Sequence, residues 1–321
     1  MNRLDRAGRL AAYGAALVMT PYTVIKISWV VGAVAGLLPT GDGFGLAGWV
    51  VLNTATIGMA GLGITMALAL VQPWGMRIPG PLVAFAAWVG SGFLVAMLPY
   101  VLLDSLLGGS DDRQPRPSHG SSMPAWEATL IQISFVGMGL GLVIALPAYI
   151  RRRWPNSFAS PGNEHEPGSS RTTLWAVGVG AAIGMVWLYW AIGGPTGVAH
   201  PADRSANWYV LNAVCGLWAL IACAATWSLT RVRPTRWLPR WVPVTLGWLG
   251  TGSLFAWSGW KLPLTLYVAM AHPADASLPE NLTVAALLHA AAVAAGAVMM
   301  STLIRTERHH ITGPDLPAAA P

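Results

Sequence analysis

Apolar residues along this chain gather into long runs, and each run has the length of a bilayer crossing. They lie near 10–37, 46–71, 80–107, 126–150, 173–193, 208–230, 241–271 and 281–304, with short polar segments between them. A helix needs roughly 20 apolar residues to cross the hydrocarbon core. The pattern therefore predicts an all-α polytopic integral membrane protein with eight transmembrane helices. The opening MNRLDRAGRL leads into a run too long for a signal-peptide h-region, with no A-x-A site behind it, so the first run reads as a retained span.

The polar segments orient the runs. Arg113, Arg116 and Arg204 fall on one side of the predicted bundle and every other arginine on the opposite side. By the positive-inside rule the arginine-rich side is cytoplasmic, and both termini lie there. The expected location is a bacterial plasma membrane. Composition agrees: 10% of residues are charged, against roughly 25% in soluble domains. The net charge of +6 then reflects topology and gives no reason to expect nucleic acid. Cys215 and Cys223 sit eight positions apart in one run. That is about 12 Å along a helix, too far to bond each other, so they read as core-filling thiols.

The longest cytoplasmic segment, RRRWPNSFASPGNEHEPGSSRT at 151–172, divides the chain into related halves. WVVLN at 49–53 returns as WYVLN at 208–212, WVGSG at 88–92 as WLGTG at 248–252, and WVVG at 29–32 as WAIG at 190–193. The offsets stay between 159 and 161. Four spans return the chain to its starting side, so the expected repeats are parallel, related by an axis along the membrane normal. The domains read as repeat 1 over 1–150, a linker over 151–172, repeat 2 over 173–305 and a cytoplasmic tail over 306–321.

Both lysines of the chain, Lys26 and Lys261, lie inside apolar runs. A lysine at mid-bilayer costs from about 2.5 kcal/mol upward. Counting from the outer ends, both sit about 15 Å deep at the helical rise, beyond easy snorkelling reach. Asn53, Asn212, Gln132, His289 and Asp104 share that outer half, which points to a polar pocket open to the outside or the outer leaflet. Pro21 and Pro263 lie near the lysines and free helix carbonyls there. Trp29, Trp187, Trp257 and Trp260 are expected to line the same pocket, whereas Trp49, Trp190 and Trp208 read as interfacial anchors. Structural ion pairs with Asp104 or Glu127, or snorkelling, are the alternatives for the lysines.

The outer loops carry AHPAD twice, at 199–203 and 271–275. His200, Asp203, His272 and Asp275 are weak metal candidates, because the spacing is no recognised ligand signature. SLPE at 277–280 reads as a capping box, with Ser277 as N-cap and Glu280 at N3 of the last helix. YWAIGG at 189–194 resembles a motif of uncharacterised multi-pass membrane proteins of actinobacteria; the resemblance implies a helical membrane protein and no particular activity.

No Walker A loop, dinucleotide fingerprint, H-E-x-x-H, G-x-S-x-G or C-x-x-C is present, and no cofactor is expected. Three functions stay open. The first is a transporter-like or binding protein whose outward-facing pocket takes an anionic or amphipathic small molecule. The second is a membrane enzyme acting on an isoprenoid or lipid, with Asp104 as acid and the lysines on a phosphate. The third is a non-catalytic scaffold. The lipid bilayer is the one partner common to all.

Overall fold

The computed structural model describes residues 3–40, 45–107, 125–153, 170–230, 241–271 and 278–311. Every regular element among them is helical: α1 Arg3–Val34, α2 Leu46–Ala69, α3 Gly80–Leu107, α4 Ala125–Arg153, α5 Arg171–Ala191, α6 Ala206–Thr230, α7 Trp241–Ala271 and α8 Leu282–Ile311. Two short 3-10 turns, Pro73–Met76 and Pro201–Asp203, lie in connections. Helix is the form that satisfies each backbone group within its own segment, as hydrocarbon demands. Large apolar side chains accordingly face outward, with Leu10, Leu17, Val24 and Val31 of α1 all exposed at seven-residue intervals.

Seven helices, α1 to α6 and α8, are long and apolar enough to cross a membrane. α7 has the length, at 31 residues, but carries Lys261 and the buried hydroxyls of Thr251, Ser253, Ser258 and Thr265. It packs against α8, α6 and α3. The four buried hydroxyls therefore meet protein, not lipid.

Two of the predicted helix boundaries need correction. The apolar run alone began α1 at residue 10, yet the helix starts at Arg3, in the basic segment before it. At α8 the cap is Asn281, whose Oδ1 accepts from the Thr283 and Val284 amides at 3.1 and 3.2 Å. Glu280 is not at N3; its carboxylate accepts from Trp208 Nε1 at 2.7 Å. Ser277 lies outside the described residues.

Close helix contacts run through small residues. Gly141 of α4 faces Ala15 and the Ala11 carbonyl of α1, and Gly184 of α5 faces Gly216 and Ala219 of α6. α1 packs along α4 and α2, while α5 packs along α6 and α8. α3 touches α2 only slightly and packs chiefly on α7, with smaller contacts to α6 and α4. Where α3 crosses α7, Gly92 and Gly252 bring the two backbones together with no room for a Cβ on either. Trp88 Nε1 donates to Thr251 Oγ1 at 3.1 Å, and Trp248 Nε1 donates to Ser91 Oγ at the same distance. Each tryptophan thus bonds the hydroxyl three residues beyond the other.

At the arginine-rich end, Arg152 donates to the Leu70 carbonyl and Arg153 to those of Met76 and Ile78, tying α4 to the α2–α3 turn. At the other end the α5–α6 and α7–α8 connections pair through Val198 and Glu280.

Gly92→Leu forces a side chain into a backbone contact and should cost at least about 3 kcal/mol, read as lost monodisperse yield in detergent. Gly14→Leu, at a position with nothing within 4 Å, should purify and melt like the parent protein.

Candidate functional site

Lys26 is placed by α1 and meets α2 through Asn53. The helix continues through Pro21, which cannot donate to the Leu17 carbonyl one turn back. Asn53 is 1% exposed. Its Nδ2 donates to the Trp49 carbonyl at 2.9 Å, which turns Oδ1 toward Lys26. Lys26 Nζ donates to that oxygen at 3.0 Å. The ammonium also lies 4.1 Å from the centroid of Trp29, over the ring face, and 5.8 Å from that of Tyr22. Trp29 is itself stacked on Trp49, with centroids 6.0 Å apart.

These partners do not exhaust the ammonium. It has three N–H donors; Asn53 takes one, and the ring face is favourable to cations without neutralising them. The side chain is only half-buried. Among the described residues no carboxylate is joined to either lysine. Glu127 is thus not the partner, and the Asp104 side chain lies outside the described residues.

Lys261 belongs to a second group, built by α5 to α8. Its Nζ stands 5.8 Å from the Trp257 centroid. His289, buried on α8, shares a hydrogen bond of 3.2 Å between Nδ1 and Ser258 Oγ. Trp187 lies against its ring at 5.9 Å. Asn212 donates to the Trp208 carbonyl at 2.8 Å.

Asn53 and Trp29 join Lys26, Lys261 meets Trp257, and His289 joins Ser258 and Trp187; no described contact links the two lysines. Gln132 and Trp260, both half-buried, join neither group through a described contact. Sequence reasoning missed Trp49 and Tyr22 beside Lys26 and Ser258 beside His289. The four-residue step from Trp49 to Asn53, repeated from Trp208 to Asn212, was the available signal for the first.

The two AHPAD loops are described only in part. His200 and Asp203 are exposed around the Pro201–Asp203 turn, and His272 and Asp275 lie outside the described residues. No cluster of three metal-ligating side chains occurs among the described residues. In YWAIGG, Gly193 takes a φ of 95°, a conformation open to glycine, and the Gly194 amide closes α5 on the Tyr189 carbonyl at 2.9 Å. Trp190 Nε1 donates to the Thr196 carbonyl at 2.7 Å. Arg204 holds the same turn by donating to the carbonyls of Gly193 and Gly194. This motif shapes a helix end.

Comparison with protein-family models, curated proteins and solved structures finds no match to this chain.

The Lys26–Asn53 contact is measurable by a double-mutant cycle. Asn53→Leu removes the only hydrogen-bond acceptor described for the ammonium and should lower stability in detergent by about 1–2 kcal/mol. In a Lys26→Met background the same change should cost clearly less.

Proposed function

We propose that this chain is a transporter-like membrane binding protein that takes an anionic or amphipathic small molecule at Lys26. The observation that carries this reading is an ammonium inside an apolar helix, held by a neutral amide and a tryptophan face and given no carboxylate by the described residues. A structural lysine is normally paired. One that is solvated yet left charged is suited to a ligand's carboxylate or phosphate. The stacked tryptophans beside it offer apolar surface to an attached chain.

Two four-span repeats frame the site in this reading, with α7 as the eighth span. Trp29 on Trp49 at 6.0 Å has its counterpart in Trp190 near Trp208 at 6.1 Å. Asn53 and Asn212 make the same bond to the tryptophan carbonyl one turn before. The Trp88–Thr251 and Trp248–Ser91 bonds exchange equivalent partners, and Gly92 touches its own counterpart, Gly252. Equivalent surfaces meet each other in this way at a two-fold axis, which supports a duplication with its axis between α3 and α7. The arginine bias puts both termini in the cytoplasm of a bacterial cell, with the lysines reached from outside or from the outer leaflet.

Two measurements test this. Dodecyl phosphate and dodecanoate should raise the melting temperature of the purified protein while dodecylammonium should not, and Lys26→Met should abolish the rise without lowering the basal melting temperature. A variant that melts lower and still responds would leave Lys26 a structural role only. For topology, a cysteine at Ser205 should react with an impermeant maleimide on intact cells, whereas one at Arg77 should react only after lysis, in a background lacking Cys215 and Cys223.

A further inference from the structure

We propose that the group of α1, α2 and α4 is a gate: α2 stands off from α3 in this structure, and the group closes by seating α2 on α3 as α6 is seated on α7. The proposal rests on the duplicated binding protein argued above, and it comes from a place where the two halves differ. α6 packs on both α7 and α3, whereas its counterpart α2 touches α3 only slightly. The difference can be followed residue by residue. A Cβ at Gly250 of α7 would lie 2.9 Å from both the Ala222 amide nitrogen and the Trp218 carbonyl oxygen of α6. Gly90, at the matching position of α3, has nothing within 4 Å. Trp218, whose carbonyl faces Gly250 of α7, has Met59 as its counterpart on α2, and Met59 is 40% exposed. Gly63 is the counterpart of Ala222, and the tip of Met138 from α4 lies 2.9 Å from its Cβ position, on the face that Ala222 gives to α7.

The α6–α7 contact thus displays the packing that α2 and α3 have the residues to make and have not made. Closure needs Met138 to swing aside, which a flexible thioether chain does readily. It also carries Lys26 and Asn53 toward α3, since both ride on the moving group. An amphipathic molecule that reaches the ammonium between α2 and α3 would be enclosed when the two helices meet.

Disulfide trapping tests the gate. Gly63→Cys/Gly90→Cys and Met59→Cys/Gly90→Cys are made in a Cys215→Ala/Cys223→Ala background and placed in phosphatidylethanolamine–phosphatidylglycerol vesicles. They are oxidised with copper phenanthroline and read by loss of maleimide labelling. Helix motions of this kind run from microseconds to seconds, so both pairs should cross-link in most molecules within minutes. The control pair Gly14→Cys/Gly90→Cys should not. Met59 is exposed and a cysteine at Gly90 meets nothing, so the second pair is the one expected to fold without cost. Cross-linking of both pairs no faster than the control overturns the gate. If dodecyl phosphate still stabilises that unlinked protein through Lys26, only the gate has failed; if it does not, the binding reading has failed with it.

Discussion

An ammonium group placed in hydrocarbon needs partners, and the choice of partner decides what the group is for. A carboxylate would cancel the charge and leave a structural pair. An amide oxygen and an aromatic face lower the desolvation cost while keeping the charge. Among the described residues Lys26 meets the second kind of partner, with Asn53 at 3.0 Å and Trp29 at 4.1 Å. Much of the local architecture serves that arrangement. Asn53 is fixed by the Trp49 carbonyl, Trp49 stacks on Trp29, and α1 is steadied along α4 by small-residue contacts.

The same polar economy explains the unevenness of the bundle. α7 carries more hydroxyls than a lipid-facing helix can accommodate, and it sits where α3, α6 and α8 cover it. Its tightest crossing is with α3, through Gly92 and Gly252 and the exchanged tryptophan bonds. With α3 drawn toward α7, the group of α1, α2 and α4 is left with little hold on it. His289 is buried among α5, α7 and α8, whereas Lys26 is half-buried between α1 and α2.

Much of the fold was legible because apolar run length is a strong signal. The predicted 80–107 and 241–271 coincide with α3 and α7, and 46–71 overruns α2 by two residues. The misreadings have tertiary causes. SLPE has the form of a capping box, but Glu280 is claimed by Trp208 across the bundle end, and Asn281 takes over the cap. Trp49, Trp190 and Trp208 sit at span ends as anchors do, yet each has an aromatic neighbour inside the protein. Depth along a helix could be counted from the sequence, so Lys26, Asn53, Lys261 and His289 were all named. Rotation about the helix could not, and rotation decides which side chains Lys26 meets, Asn53 and Trp29.

The chain has two lysines, which makes the central claim directly observable. Protein labelled with 15N at lysine Nζ should give two side-chain signals in lipid nanodiscs, assigned by Lys26→Met and Lys261→Met. On titration with dodecyl phosphate, the Lys26 signal should shift to saturation and its protons should exchange more slowly with water. A Lys26 signal that stays in place while the amphiphile saturates the nanodisc would contradict an ammonium kept free for an anionic ligand.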